Sequence, residues 1–155
     1  MKIPTDLKHK PVVTTENYDK IDGRFVQKTD TKGLSLGLAQ WNDRGNVDIS
    51  AKIWRHTGEK WSRQSEELPL HRVLDLAILI CRSKLYFQER YADDSRYPNI
   101  DKIGLQGGAM NISICTENDH IDEDIKLFDD CLHKDDEILS ERLNVLSRIL
   151  KDLGI

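Results

Sequence analysis

Leu34-Ser35-Leu36-Gly37-Leu38-Ala39 and, after a short gap, Ile49-Ser50-Ala51-Lys52-Ile53-Trp54 decide the fold. In the first run leucines alternate with Ser35, Gly37 and Ala39, and in the second Ile49, Ala51 and Ile53 alternate with Ser50, Lys52 and Trp54; a period of two is the spacing of a strand with two unlike faces. Between them Asn42-Asp43-Arg44-Gly45-Asn46 has the residue types of a turn. His56-Thr57-Gly58-Glu59 is a second turn, and Lys60–Glu66 continues as a third strand. An antiparallel meander follows. Its first hairpin is expected to pair Leu36 with Ile53, Leu38 with Ala51 and Ser35 with Trp54. Its second is expected to pair Trp54 with Trp61 and Lys52 with Arg63. One face is then aliphatic: Leu36, Leu38, Ile49 and Ile53. The other sets Trp54, Trp61, Lys52 and Arg63 on a floor of Ser35, Gly37 and Ala39.

The aliphatic face needs a cover. Pro69 suits the first turn of a helix, and Leu70, Val73, Leu74, Ala77, Ile78, Cys81 and Leu85 keep helical spacing to about Arg90. Leu76, Leu79 and Ile80 widen that stripe, which predicts a helix that packs on the aliphatic face and is either central or covered by a second partner on its other side. Tyr91–Asp101 reads as a polar loop. Gly107-Gly108 opens a strand carrying Met110, Ile112 and Ile114. Asn118 and Asp119 are cap residues before a helix with Ile121, Ile125, Phe128 and Leu132. A last helix runs from about Asp136 to Leu153, with Leu139, Leu143, Leu146, Leu150 and Leu153 in a 4-3-4-3 seam. Upstream, residues 1–22 read as an irregular arm and Gly23–Lys28 as a short strand.

The expected class is α+β: a three- to four-stranded antiparallel meander backed by a long helix, then one strand and two C-terminal helices. It forms a single domain, 1–155, with an arm (1–22), a sheet-plus-helix core (23–90) and an acidic extension (91–155). At 155 residues the chain is long enough to fold without disulfides or metal. The longest apolar run, Leu76–Cys81, is too short to span a membrane, and Met1–Lys10 lacks the apolar core of a signal peptide. Cys81, Cys115 and Cys131 are sparse and odd in number, which reads as reduced thiols in the cytoplasm, with Cys81 in the core.

The net charge of −4 hides a split: residues 1–92 carry +4 and residues 93–155 carry −8. The basic half contains the two-tryptophan hairpin, and aromatic rings interleaved with cations are what single-stranded nucleic acid needs. Bases stack on rings, and Lys and Arg neutralise phosphates. The candidate single-stranded DNA or RNA contacts are Lys52, Trp54, Arg55, Lys60, Trp61 and Arg63. The competing structural reading makes Trp54 and Trp61 core, covered by the second half of the chain. Residues 117–137 hold ten Asp/Glu against two Lys. They form a solvated acidic face, a dock for a basic protein, or a cover competing with phosphates for Lys52, Arg55 and Arg63. His120 and Asp122 stand two apart and do not converge on a metal. No catalytic constellation assembles from residues close in sequence, and no cofactor or metal is expected. The alternative function is a protein-interaction or assembly module using the acidic C-terminal helices, with a homodimer burying either Leu139, Leu143, Leu146 and Leu150 or the back of the helix that begins at Pro69. A third is a small-molecule enzyme of unspecified type.

The Lys52-Ile53-Trp54-Arg55 and Glu59-Lys60-Trp61-Ser62-Arg63 hairpin, followed by Gln64–Ile80, resembles the strand–strand–Leu-Pro–helix ending of coactivator-type and Whirly-type single-stranded-DNA-binding domains. The resemblance covers residues 23–90 and implies a curved four-stranded sheet, a helix and a dimer. This chain departs from it by adding a strand and two acidic helices. Taken whole, the sequence is similar to a bacterial family described only as a domain of unknown function.

Overall fold

The computed structural model describes residues 1–89 and 99–155. The chain forms two compact units, 1–77 and 78–155. The class is α+β, with a four-stranded antiparallel sheet, a long helix, a two-stranded sheet and two C-terminal helices.

In the first unit the sheet runs in sequence order: β1 (Lys10–Glu16), β2 (Thr31–Leu38), β3 (Ile49–Arg55) and β4 (Glu67–Pro69). Strand β1 corrects the expectation of an irregular arm. Val12, Val13, Thr14 and Thr15 are β-branched and favour extended backbone, and Pro11 is tolerated because β1 is an edge strand. The short strand expected at Gly23–Lys28 is instead a 3₁₀ turn, Gly23–Phe25, next to another at Tyr18–Lys20.

The first hairpin holds the expected faces in a different register, and the second keeps only Trp61 on its expected face. Leu36 pairs with Ala51 rather than Ile53, and Ser35 pairs with Lys52 rather than Trp54. A single bridge, Asp43 to Asn46, keeps the expected alignment at the turn. The slip of two residues therefore arises between that turn and the strands. An even slip leaves every side chain on its original face. The expected third strand, Lys60–Glu66, reduces to one bridge between His56 and Trp61; regular pairing resumes at β4, where Lys52 meets Glu67. Arg63 therefore does not face Lys52.

The burial of the two faces is the reverse of the expectation. Ser35, Gly37, Ala39, Ser50, Lys52 and Trp54 are buried, whereas Leu36 is 42% and Ile49 53% exposed. The cover over the small-residue face comes from the N-terminal segment, whose Ile3 and His9 are buried. Two glycines make this approach possible. A Cβ on Gly37 would sit 2.1 Å from the Lys10 carbonyl oxygen and 2.8 Å from His9 Nε2; one on Gly33 would sit 2.5 Å from the Thr15 carbonyl oxygen and 2.8 Å from Ile3 Cδ1. Alternation along β2 thus places small residues where backbone and arm lie against the strand. The aliphatic face is left exposed at Leu36, Leu38 and Ile49, and so are Leu74, Leu76, Leu79 and Ile80 of helix α1 (Leu70–Glu89), the helix expected to pack on it. Cys81, expected in the core, is exposed as well. Among the described residues of α1 only Phe87 is buried. The expected end of this helix at Arg90, and residues 91–98 of the expected loop, lie outside the described residues.

The second unit contains the β5 (Asn99–Leu105) and β6 (Gly108–Ser113) hairpin. Asn99–Asp101, expected in the loop, belongs to its first strand. The connecting residues Gln106 and Gly107 both have positive φ (52° and 77°), the conformation of a tight two-residue hairpin turn. Helix α2 (Ile121–Lys134) and helix α3 (Asp136–Asp152) meet at Asp135. The cap position of α2 is His120 rather than Asn118 or Asp119. Asn118 Oδ1 accepts the His120 N–H, and its Nδ2 donates to Asp124. Phe87, Ile112 and Ile125 are buried in this unit, and Phe128 packs on Phe87 with ring centroids 5.3 Å apart. Among the described residues no helix is long and apolar enough to cross a membrane.

Candidate functional site

The hairpin of β3 and the segment before β4 positions all six candidate nucleic-acid contacts in the first unit, and it divides them. Trp54 is 1% exposed. Its indole N–H donates to Ser35 Oγ at 2.8 Å, and its ring meets His9 and Trp61 edge-on, each at a centroid separation of 5.9 Å. Trp61 is half-buried and also meets His56 edge-on at 5.1 Å. The expected Trp54–Trp61 association therefore exists as a diagonal contact rather than a facing pair.

The cations divide in the same way. Lys52 Nζ donates to Glu67 Oε2 at 3.0 Å and lies 5.0 Å from the centre of the Trp54 ring. Arg55 Nε spans both Asp30 oxygens at 3.0 and 3.1 Å and also approaches Glu66. Asp30, by this hydrogen bond and by its charge, raises the Arg55 guanidinium further. The carboxylates that occupy Lys52 and Arg55 belong to the first unit: Glu67 for Lys52, Asp30 and Glu66 for Arg55. Lys60 and Arg63 are exposed and pair with no carboxylate among the described residues. Trp61 with Lys60 and Arg63 is thus the accessible part of the expected set; Trp54 and Lys52 are interior.

Sequence proximity gave no sign of the group at the centre of this unit. His9 Nε2 lies 2.9 Å from Ser35 Oγ, and His9 Nδ1 lies 3.1 Å from both Ser50 Oγ and Glu67 Oε1. Ser50 Oγ donates to Glu67 Oε1 at 2.7 Å, and the Gln40 backbone N–H donates to the same oxygen at 2.9 Å. Every polar atom finds a partner if His9 is neutral with its proton on Nδ1. Trp54 donates to Ser35, Ser35 to His9 Nε2, and His9 to Glu67. Burial pushes the Glu67 carboxyl upward. Donors from Gln40, Ser50, Lys52 and His9 outweigh that effect and hold it below the usual glutamate value.

Ser35, His9 and Glu67 have the connectivity of a nucleophile, base and orienting acid. Their setting is that of a structural lock instead. All three side chains are enclosed, Ser35 Oγ is occupied by the Trp54 indole, and the open cavity beside Glu67 is not lined by Ser35 or His9. The lock joins residues 9, 35, 50, 52, 54 and 67, whose separations run to 58 positions. Only the polar residues on the small face of two strands hinted at it: a buried Ser needs a partner, and that partner lies far off in sequence.

In the second unit the acids of residues 117–137 are partly engaged. Lys84 bonds to Asp136 and holds its carboxylate below the usual aspartate value, Asp124 accepts from Asn118, and His133 lies 3.3 Å from Asp129. Asp122, Glu123 and Asp124 sit in the first turn of α2, where the helix dipole favours them. Among the described residues no cluster of three His, Cys, Asp or Glu side chains is placed to hold a metal ion. In α3 the seam changes character along its length. Leu139 and Leu143 are half-buried. Beyond them Val145, Leu146, Ile149, Leu150 and Leu153 are all exposed, Leu146 by 40% and Leu153 by 68%.

A family model described as a family of unknown function (DUF6530) matches residues 1–155, and the chain belongs to that family. No curated protein and no solved structure matches it. The likeness of residues 23–90 to coactivator-type and Whirly-type domains accordingly rests on the sequence pattern alone.

Proposed function

For this member of the family we propose an assembly role: the chain self-associates through the C-terminal turns of α3. The observation that carries this reading is the exposed apolar stripe Leu146, Ile149, Leu150 and Leu153, on a helix whose preceding Leu139 and Leu143 are already half-buried. A contiguous apolar stripe of this kind marks an interaction surface. Leu146, Leu150 and Leu153 keep the 4-3 spacing of the seam, which suits the facing stripe of an identical helix, and a two-fold pair is the commonest way to cover such a surface. Acids dominate the rest of the second unit, which keeps the remaining surface solvated. A basic protein partner for residues 117–137 is a further proposal of the same kind. Light scattering across micromolar concentrations tests the reading: a dimer is expected, and a monomer throughout would refute it.

A second reading, single-stranded nucleic-acid binding, is supported by Lys60, Trp61 and Arg63 at the hairpin tip. Two unpaired cations beside a half-buried ring suit a phosphate backbone with one stacked base. The enclosure of Trp54 limits this platform to a single tryptophan, which favours weak, salt-sensitive binding. Titration of a fluorescent oligo-dT at low salt tests it.

A further inference from the structure

A cavity of about 820 Å³, open to solvent, lies in the first unit beyond the buried lock. Its volume falls within the range of small-molecule sites. Trp41, Asp48, Glu67, His71 and Arg72 line it, together with Gln40. Separating the groups already satisfied from those still available shows what it suits.

Glu67 is spent. Oε2 takes Lys52, and Oε1 takes His9, Ser50 and the Gln40 N–H. With Lys52 it forms a neutral pair, so it adds no net charge to the wall. Trp41 is held: its indole N–H donates to Asp48 Oδ2 at 2.8 Å, and Asn42 clamps the Asp48 backbone through both its N–H and its carbonyl. The ring is nevertheless 40% exposed, which makes it a plate fixed before any ligand arrives. Asp48 Oδ1 remains available as an acceptor. Arg72 and His71 are exposed and make no ion pair or hydrogen bond among the described residues, the i, i+4 spacing of His71 and Asp75 notwithstanding.

The available chemistry is therefore a flat aromatic plate, one carboxylate oxygen, one guanidinium and one imidazole. An anion alone would leave Asp48 opposed to it, and a cation alone would oppose Arg72. A molecule with a planar ring, an exocyclic amine on that ring and a separate anionic group satisfies all four. The exocyclic amine of cytosine or adenine is such a donor, and a carboxylate is its natural acceptor. A phosphate is the natural partner of Arg72, with His71 beside it.

We propose that this cavity binds a nucleoside monophosphate with an amino-bearing base: the base on Trp41, its amine at Asp48 and its phosphate at Arg72 and His71. The site shares no residue with α3, so it does not rest on the assembly reading, and loss of dimerisation would leave it standing.

Isothermal titration of the full chain with CMP and AMP tests the proposal, with UMP, cytidine and inorganic phosphate as comparison probes. CMP or AMP is expected to bind saturably. UMP, which lacks the amine, and cytidine, which lacks the phosphate, are each expected to bind at least about tenfold more weakly. Arg72→Gln, on an exposed helical position, should weaken CMP and AMP by at least about tenfold without disturbing the fold. Trp41→Leu should do the same through lost stacking. No saturable binding of CMP or AMP at millimolar concentration would overturn the proposal. So would affinities unchanged by Arg72→Gln and Trp41→Leu, or UMP binding as tightly as CMP.

Discussion

His9 Nδ1 stands 3.1 Å from Glu67 Oε1, a contact that closes a loop of 58 residues and holds the N-terminal segment against the sheet. Both side chains are almost wholly out of solvent. Their neighbours Ser35 and Ser50 have no water to turn to if either is removed. The first unit therefore has a buried polar contact beside its apolar core.

His9→Ala should destabilise the chain by about 2–4 kcal/mol, because Ser35 and Glu67 lose a partner in a buried place. Urea unfolding followed by tryptophan fluorescence measures this. A loss below about 0.5 kcal/mol would show that water or another side chain satisfies the lock.

The Glu67 carboxyl titrates below the usual value of 4.5 in the folded chain. A carboxyl lowered on folding contributes stability that is fully present above its unfolded pKa. That stability is lost as pH falls through the folded pKa. Stability should thus hold through neutral pH and decline below about pH 4.5, and Glu67→Gln should flatten the acid limb while lowering stability at pH 7. The neutral-pH loss follows because Lys52 would keep a buried charge without its partner. Equal acid limbs in the two proteins would mean that other carboxylates govern acid unfolding.

Leu146→Asp combined with Leu150→Asp should convert a dimer to a monomer. Each leucine contributes about 1.5–3 kcal/mol when fully covered, so the double substitution should weaken the dimer by at least about 100-fold. Sedimentation velocity reads the change. A dimer that survives the double substitution would move the interface away from α3. The uncovered aliphatic face bearing Leu36 and Ile49 would then be the next surface to test.

Trp61 and Trp54 should respond differently to alanine. Trp61→Ala should weaken oligo-dT binding by about 1–3 kcal/mol with the fold retained. Trp54→Ala should cost about 3–5 kcal/mol of stability through the void it leaves. Oligonucleotide binding that survives Trp61→Ala and Arg63→Ala together would place the contact elsewhere.

Gly37→Ala should be far more damaging than a strand glycine substitution normally is. The new methyl would overlap the Lys10 carbonyl, which is backbone and has little room to yield. A cost above about 2 kcal/mol is expected, read from the midpoint of thermal unfolding. A neutral outcome would mean that the Lys10 carbonyl yields to the added methyl.

Much of the architecture was legible locally. The alternation in Leu34–Ala39 and Ile49–Trp54 located β2 and β3 and sorted their side chains into two faces, because a strand's pleat repeats every two residues regardless of what surrounds it. Helical spacing located α1, α2 and α3 for the same reason. The small-face association of Trp54 and Trp61 also survived, since the registers slipped by even numbers. Other readings failed where the deciding partner was distant. Pro4 and Pro11 disguised β1, whose strand character is fulfilled only by pairing with β2. The cavity at Trp41 brings together residues from a turn, a strand and a helix start, and no spacing announces it.

Which face of the sheet is interior was settled by tertiary structure alone. By composition the aliphatic side should have been covered, and hydrophobicity is the usual guide. Yet the small side is what can accept a second layer of backbone at close range. Gly33 and Gly37 admit β1 and the N-terminal segment, and Ser35, Ser50 and Glu67 supply the hydrogen bonds that a buried histidine requires. A period of two determines that two faces exist and who stands on each. The choice between them depends on a partner arriving from elsewhere in the chain, with the shape and hydrogen-bonding capacity to fit.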